Sequence, residues 1–384
     1  MDKDTPRVLQ LVPALQEGGV ERCVVEMAHF LNARGVANWI ASGGGAMAAE
    51  LAGEATTLVP IRVGAKNPFA ILANARAVAK LVERENIDVI HAVSRAPAWV
   101  GWLACRLFLR GRCHFVTTVH GAHSHGNAVK RLYNSAMTRS EAVVASSRFI
   151  AGHISSVYGV PAERIIVAQR GVDTARFDPA LVSEEERKAL RQELAGIADD
   201  TPLLAMVSRV TTLKGHAVLV EALAEVKDLP WRAIFVGTGN PSVIDDAKKR
   251  IAAHGLEDRI LWTGSRRDVP AILAATDLAF SASIRPEACP LTTIEAQAME
   301  TPVIATDHGG ARETVVRGES GWLVEPSNAM ALAGAIREAL ADPARLAAMG
   351  RRGREHVLEN FTRQTMLTRE FSAYERVLAG RPGA

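Results

Sequence analysis

Short apolar runs alternate with longer stretches of helical periodicity along almost the whole chain. Runs of this kind, rich in Val, Ile, Leu and Ala, are typical of strands buried on both faces of a parallel sheet. The strands predicted for the first half cover residues 7–12, 37–41, 88–92, 114–119, 142–145 and 164–168. Those of the second half cover residues 202–207, 232–236, 259–263, 277–282, 301–305 and 321–324. Together with the intervening helices, both series predict an α/β fold with doubly wound parallel sheets.

A polar stretch separates the two series. Residues 171–201 contain Pro179 and two short acidic runs, and they predict an interdomain connection. The chain therefore divides into a Rossmann-like domain over residues 1–175 and a second one over 176–360. The remaining segment, 361–384, is predicted to be a helix that packs back across the domain junction.

The composition indicates a globular protein that has two hydrophobic cores. The chain has 384 residues, of which 48% are hydrophobic. Its longest apolar run, residues 96–105, is shorter than the roughly 20 residues that cross a bilayer. The N-terminus lacks the features of a secretory signal, and the four cysteines show no CxxC spacing. We therefore expect a cytoplasmic protein with reduced thiols.

The charge is distributed unevenly between the two halves. Residues 1–175 carry 19 Lys and Arg against 13 Asp and Glu, whereas residues 176–384 carry 26 against 29. The basic first half suits peripheral contact with the anionic inner face of the cytoplasmic membrane or with a phosphorylated acceptor, and ordinary surface scatter is the alternative. Aromatic residues make up only 5% of the chain and do not interleave with basic runs, so we expect no nucleic-acid partner.

Several loops that follow predicted strands carry residues suited to anion binding. Gly18 and Gly19 join the first strand to a helix, where they form either an anion site or a plain connection. Arg209 and Lys214 lie five residues apart on the first loop of the second half, and both can reach a diphosphate. Gly237 gives a later loop the same backbone freedom, which serves either an anion site or a tight turn.

Two further residues lie where predicted strands of the first half end. His120 suits hydrogen bonding to a substrate or a structural role, and Arg95 suits contact with an acceptor or a surface ion pair. His123 and His125 raise the alternative of a metal site, but no carboxylate cluster accompanies them. The Asp2-Lys-Asp4 sequence precedes every predicted strand, so we expect no metal there either.

The pair Glu287 and Glu295 is the most informative feature of the second half. Glu287 lies in a loop after a predicted strand, and a helix predicted to begin at Pro290 places Glu295 more than one turn inside it. Carboxylates accept hydrogen bonds from hydroxyl groups, while a helix N-terminus offers free N–H groups to an anion. The combination suits a ligand that carries both sugar hydroxyls and phosphates, which is the chemistry of a nucleotide sugar.

Taken together, these motifs resemble the retaining glycosyltransferases of family 4, which have the GT-B fold of two Rossmann-like domains facing a cleft. Within that family, the chain is most similar to bacterial enzymes of lipopolysaccharide core and related surface-polysaccharide synthesis. The motifs that carry the resemblance are Gly18-Gly19-Val-Glu-Arg22, Thr118-Val-His120-Gly121, Arg170-Gly-Val-Asp173, Ser208-Arg209 with Lys214-Gly215, and Glu287-x7-Glu295 followed by Thr301-Pro-Val-Ile-Ala305.

The resemblance implies a role for each site residue. It assigns Glu287 to the hydroxyls of the donor sugar, Glu295 to the ribose, and Arg209 and Lys214 to the diphosphate, with His120 near the reacting carbon. It implies further donor contacts, largely through the backbone, from Gly18, Gly19, Gly237, Arg266, Pro290 and Leu291. Arg95 is left as a contact for a glycan or glycolipid acceptor.

The implied reaction transfers a glycosyl unit from a UDP-, GDP- or ADP-linked sugar to a hydroxyl group, with retention and with neither a cofactor nor a metal. The chain departs from the family pattern at Ala288-Cys289-Pro290, where Pro290 has no N–H to donate. A nucleotide-sugar epimerase and a non-catalytic nucleotide-sugar-binding protein remain the alternatives.

Overall fold

The computed structural model describes residues 5–16, 18–122, 126–196 and 200–380, and the chain forms two compact units. The first unit comprises residues 1–169 and 366–384, and the second comprises residues 170–365. The division after Gln169 lies six residues before the position expected from sequence. The chain returns to the first unit at Met366, inside its last helix.

The first unit is built on a parallel sheet. Its strands are β1 (Val8–Leu11), β2 (Asn38–Ala41), β3 (Thr57–Val59), β4 (Val89–Ala92), β5 (His114–Val119), β6 (Ala142–Ala145) and β7 (Ile165–Val167). Among the described residues these form one seven-stranded sheet in the order β3-β2-β1-β4-β5-β6-β7. Leu9 of β1 is in register with Trp39 on one side and with Ile90 on the other.

The second unit repeats this arrangement with one strand fewer. Its strands are β8 (Leu203–Val207), β9 (Arg232–Val236), β10 (Ile260–Gly264), β11 (Leu278–Ser281), β12 (Val303–Thr306) and β13 (Gly321–Val324). In the part of the chain that the structure describes, they form a six-stranded parallel sheet in the order β10-β9-β8-β11-β12-β13. Leu204 of β8 is in register with Ala233 and Leu278.

Helices connect most of the successive strands, and three helices follow the last strand. In the first unit they are α1 (Gly19–Asn32), α2 (Pro68–Glu85), α3 (Arg95–Leu103), α4 (Ala128–Asn134) and α5 (Arg148–Tyr158). The second unit has α6 (Glu184–Ala195), α7 (His216–Ala224), α8 (Pro241–Ala253), α9 (Val269–Ala274), α10 (Leu291–Ala298), α11 (Ala311–Thr314), α12 (Ala329–Leu340) and α13 (Pro343–Asn360). The last helix is α14 (Arg363–Ala379). Short 3-10 segments span Ala46–Leu51, Ser135–Thr138, Ala162–Arg164, Pro179–Leu181 and Thr212–Lys214, and a π-helical segment spans Ala104–Leu109.

The predicted α/β fold with two doubly wound parallel sheets is confirmed. Each predicted strand corresponds to an observed one, with ends shifted by at most two residues. The prediction for residues 301–305 begins two residues too early, since β12 starts directly after Pro302, which has no N–H for a strand ladder. Strand β3 was not predicted. It has three residues at the sheet edge, and its exposed positions lack the apolar run that marks the others.

Both sheets reverse their strand order at one point, and this locates the expected ligand edge. The reversal falls between β1 and β4 in the first unit and between β8 and β11 in the second. Open α/β sheets bind ligands outside the carboxyl ends of the strands at such a point. We therefore expect the ligand-binding residues in the loops that follow these four strands.

The last helix packs on the core of the first unit. Met366, Leu367 and Tyr374 of α14 are buried and cluster with Val8 of β1 and Val144 of β6. Residues more than two hundred positions apart in sequence thus share one core, and α14 closes one face of the first sheet.

A buried polar chain links α14 to the first sheet. The Tyr374 hydroxyl lies 2.8 Å from Nδ1 of His91, and Nε2 of His91 lies 2.7 Å from Oγ1 of Thr118. Thr118 donates to a carboxylate oxygen of Glu370 at 2.6 Å. All four side chains are at most 4% exposed. Buried polar groups of this kind have to satisfy one another, because water does not reach them.

The protonation state of His91 sets the direction of these hydrogen bonds. Burial lowers the pKa of His91 to about 3, so the ring is neutral and has one donor and one acceptor nitrogen. Tyr374 then donates to Nδ1, Nε2–H donates to Thr118, and Thr118 donates to Glu370. A single chain of donors therefore runs from α14 through β4 and β5 and back to α14.

We expect Tyr374→Phe to lower the free energy of unfolding by about 1–3 kcal/mol, because Nδ1 of His91 becomes a buried acceptor without a donor. Urea titrations followed by circular dichroism at pH 7.5 measure the change. Tyr158→Phe is the matched control, since the buried Tyr158 hydroxyl has no hydrogen-bond partner within the described residues. A loss for Tyr374→Phe no larger than that of the control would rule out this role.

Candidate functional site

The first loop of the second unit follows β8 and is folded tightly against the loop that follows β11. Gly215 has φ +75°, and a Cβ at this position would lie 1.9 Å from the carbonyl oxygen of Ala282. The N–H of Ile284 donates to the carbonyl of Leu213 at 2.8 Å. Only glycine allows both the positive φ and this close approach. The two loops therefore meet at the point where the strand order reverses.

This contact brings Lys214 and Glu287 together. Lys214 Nζ lies 2.6 Å from one carboxylate oxygen of Glu287, and the Ser283 hydroxyl donates to the other. The two charged side chains are 20% and 28% exposed, so the pair is open to a ligand. Lys214 retains two N–H donors, and each oxygen of Glu287 retains acceptor capacity. Cationic donors and anionic acceptors thus stand side by side at the ligand edge.

The loop after β12 supports Glu287 from another side. The N–H of Gly310 donates to the carbonyl of Glu287 at 2.8 Å. Gly309 has φ +56°, and a Cβ there would lie 2.4 Å from the same carbonyl. A ring nitrogen of His308 lies 2.8 Å from the carbonyl of Ser283. Glu287 is therefore fixed through its backbone as well as its side chain.

Glu295 lies within α10, at the fifth residue of the helix. The prediction that this helix begins at Pro290 is wrong by one residue: Pro290 has extended dihedral angles and is the N-cap, and α10 begins at Leu291. Burial raises the pKa of the Glu295 carboxyl, and Arg176 and Arg170 oppose that shift. The helix start and the carboxylate predicted inside the helix are thus both present.

The loop between the two glutamates contains a thiol with low reactivity. Burial raises the pKa of Cys289 to about 12, so the thiol stays protonated at neutral pH. Pro290 contributes no N–H at the start of α10. The first N–H group of the helix is therefore that of Leu291.

Arg209 and Gly237 lie at the same edge. Arg209 is exposed and forms no ion pair with any residue that the structure describes. Gly237 has φ +138°, and a Cβ there would lie 1.9 Å from the carbonyl oxygen of Ser208, so the loops after β8 and β9 are also in close contact. Arg209 is accordingly available to an anionic ligand.

The side chain of Arg266 is engaged within the protein. Its guanidinium lies 2.6 Å from Asp268 and 2.9 Å from Glu193, and these two carboxylates raise its pKa. Its charge is therefore balanced locally, which leaves the backbone as the part of Arg266 suited to a ligand.

In the first unit, the structure brings Arg95 and His120 to one cavity of about 250 Å³. Arg95 is the first residue of α3, and His120 directly follows β5. Gly19 begins α1 with Gly18 as its N-cap, and neither glycine lines this cavity. Asp2, Asp4, His123 and His125 lie outside the described residues.

The sequence did not reveal two residues that hold the Glu287 loop: Ser283, which donates to the Glu287 carboxylate, and His308, which contacts the Ser283 carbonyl. Ser283 lies four positions before Glu287 in the same loop, and that short spacing is a signal that could have been used. His308 is 25 residues from the carbonyl it contacts, and its position follows only from the pairing of β11 with β12.

Within the described ranges, no three His, Cys, Asp or Glu side chains group as a metal site.

Comparison with known proteins connects this geometry to a family. The family model described as "Glycosyl transferases group 1" matches residues 187–356, and the model described as "Glycosyltransferase Family 4" matches residues 17–176. The lipopolysaccharide core biosynthesis mannosyltransferase LpsB of Rhizobium meliloti is 30% identical over 304 residues, which are 77% of this chain and 78% of LpsB. The chain belongs to glycosyltransferase family 4.

Two more family relatives are close in sequence or structure. A GDP-mannose-dependent alpha-(1-6)-phosphatidylinositol monomannoside mannosyltransferase of Mycolicibacterium smegmatis is 29% identical over 300 residues, 74% of this chain and 76% of the relative. The crystal structure of a glycosyltransferase from Rickettsia africae superposes with a TM-score of 0.89 at 35% identity and covers 98% of this chain and 100% of that one. The two parallel-sheet units are thus those of the GT-B fold.

None of the helices in the described part of the chain is long and apolar enough to cross a bilayer.

We expect Gly215→Ala to destabilise the second unit more than Gly255→Ala does. Gly255 has φ +63° but open space around it, so alanine there costs about 1–2 kcal/mol for the positive φ alone. Gly215→Ala adds the clash with the Ala282 carbonyl. Urea midpoints of the two variants, measured side by side, test this. Equal midpoints would show that the two loops do not pack as described.

Proposed function

We propose that this family 4 enzyme transfers a hexosyl unit from a nucleotide sugar to an acceptor hydroxyl, with retention at the anomeric carbon and without a bound metal. The observation that carries the proposal is the pairing of Lys214 with Glu287 where the second sheet reverses. A diphosphate needs cationic donors and a sugar needs hydroxyl acceptors, and this pair supplies both in one place.

In the proposed mechanism, charge on the departing diphosphate is the main electrostatic demand. Lys214 directs its two remaining N–H donors at the phosphate oxygens, and the exposed Arg209 adds a second positive charge. These two cations take the place of a divalent metal ion. Groups positioned before the reaction stabilise developing charge without reorganisation, which makes them effective in catalysis.

The remaining site residues hold the substrates. Glu287 accepts hydrogen bonds from the donor sugar hydroxyls, while Ser283 and Lys214 keep its carboxylate in place. Glu295 takes the ribose, and His120 orients the reacting carbon. Further donor contacts come from the backbone at the loop glycines, at the loop after β10 and at the start of α10: Gly18, Gly19, Gly237, Arg266, Pro290 and Leu291.

The acceptor is proposed to be a glycan or glycolipid of the lipopolysaccharide core or a related surface glycan. The similarity to LpsB and to a mannosyltransferase named for a phosphatidylinositol monomannoside supports this class. The excess of basic residues in positions 1–175 supports a cytoplasmic enzyme that works at the inner face of the membrane.

Product analysis tests the reaction. The protein is incubated with UDP-, GDP- and ADP-linked hexoses, with and without a lipopolysaccharide-core oligosaccharide, and the products are followed by mass spectrometry and NMR. We expect acceptor-dependent release of one nucleoside diphosphate and an anomeric configuration that matches the donor. Sugar conversion without acceptor would indicate an epimerase, and binding without turnover would indicate a non-catalytic protein.

Lys214→Ala in the same assay tests the assigned role. We expect turnover to fall by roughly tenfold to a thousandfold, as for loss of other preorganised charge stabilisers. Lys248→Ala, which removes an exposed lysine from α8, is the charge-matched control. Full turnover by Lys214→Ala would refute this role.

A further inference from the structure

The cavity of the first unit has a charge pattern that the proposed transfer reaction does not by itself require. Lys66 and Arg95 both line it, together with His120, and none of the lining residues that the structure describes is a carboxylate. Like charges that share a small cavity repel each other, and surface cations are normally balanced by nearby acids. Two cations with no acid among the described lining residues therefore indicate a cavity that is complementary to an anion.

Arg95 is held in place by neutral groups. Its guanidinium lies 3.3 Å from Oδ1 of the buried Asn134 and 5.6 Å from the centre of the Tyr133 ring. Trp99 in turn donates to the carbonyl of Tyr133 at 3.0 Å, which fixes that wall of the cavity. None of these contacts neutralises Arg95. The side chain is thus oriented by the protein while its charge stays available.

Lys66 reaches the cavity from a different loop. It is exposed, and it forms no ion pair with any residue in the described ranges. Its loop is held against the loop after β1, since a Cβ on Gly64 would lie 2.8 Å from Cβ of Pro13. The cation is therefore carried by a segment whose backbone position is restrained.

The start of α3 adds neutral donors to the same wall. Ser94 is the N-cap of this nine-residue helix, and its side chain makes no capping hydrogen bond. The hydroxyl of Ser94 and the first N–H groups of α3 therefore remain available at the cavity. Such donors strengthen the binding of an oxyanion that the two cations attract.

We infer that this cavity binds a phosphate group of the acceptor substrate, with Lys66 and Arg95 as its cationic ligands. The inference rests on the proposed function, since it names the chemical class of the acceptor. Several donors from the Lys66 loop and from the start of α3 suit the several oxygens of a phosphate ester better than the two of a carboxylate. The phosphate then fixes which acceptor hydroxyl points toward the donor.

Lysine labelling tests the site without any need for turnover. The full chain is reductively methylated at increasing concentrations of inorganic phosphate, and the modification of each lysine is measured by mass spectrometry. We expect phosphate to slow labelling of Lys66 and to leave Lys80 unchanged. Lys80 is an exposed residue of α2, fourteen positions further along and roughly 20 Å away along the helix.

Variants of Arg95 decide whether the two cations act together. Arg95→Ala should abolish the protection of Lys66, Arg95→Lys should retain most of it, and Arg76→Ala on α2 should leave it intact. Protection that persists in Arg95→Ala, or equal protection by acetate at matched ionic strength, would overturn the inference. A lack of any protection by inorganic phosphate, glycerol 3-phosphate and anionic vesicles alike would overturn it as well.

The source of the phosphate is resolved by two further probes. Protection by glycerol 3-phosphate supports a soluble phosphorylated acceptor, and protection only by phosphatidylglycerol vesicles supports a lipid-linked one.

Once an acceptor is known, we expect Lys66→Ala to raise its KM by about tenfold to a hundredfold, the cost of one lost hydrogen bond between charged groups. An equal rise in the KM of the donor would mark Lys66 as structural. Labelling results stand even if transfer is absent, so failure of the site and failure of the proposed reaction are distinguishable.

Discussion

The ion pair between Lys214 and Glu287 is the contact on which the arrangement of the candidate site depends. A partly exposed ion pair contributes only about 0–1 kcal/mol to stability, so its importance is positional rather than energetic. The position is set by backbone contacts, in which Gly215 and Gly309 allow three loops to approach within van der Waals distance. The sheet supplies the edge, the glycines bring the loops together, and the pair presents opposite charges to a ligand.

Polar and charged side chains are paired differently in the interior of the protein and at the carboxyl edges of its sheets. Inside the first unit, His91 is neutral, and its two ring nitrogens are hydrogen-bonded to the buried side chains of Thr118 and Tyr374. At the carboxyl edges, Arg209 and Lys66 lack ion-pair partners within the described residues, so their charges remain available to substrates. This separation lets a rigid, internally satisfied scaffold carry an edge that binds anionic ligands.

Local sequence patterns determine the fold more completely than the site. The apolar runs predicted the buried strands, whereas β3 lacks such a run because its edge position is exposed. The roles proposed for Lys214 and Glu287 followed from their loops, but their pairing, 73 residues apart in sequence, depends on how β8 and β11 lie side by side. Likewise, the carboxylates that pair with the Arg266 guanidinium belong to Glu193 of α6 and to Asp268 of the same loop as Arg266. Residue type alone does not reveal this pairing.

The central claim is that Lys214 recognises the phosphates of the donor and Glu287 its sugar. Calorimetric measurement of ligand binding to the Glu287→Gln variant tests this claim most directly. The affinities of one nucleoside diphosphate and of its nucleotide sugar are measured for the wild type and for the variant. Loss of the carboxylate charge weakens bonds from the sugar hydroxyls but not those from Lys214 to phosphate, so the preference for the nucleotide sugar should fall by about tenfold. An unchanged ratio of the two affinities would contradict the account.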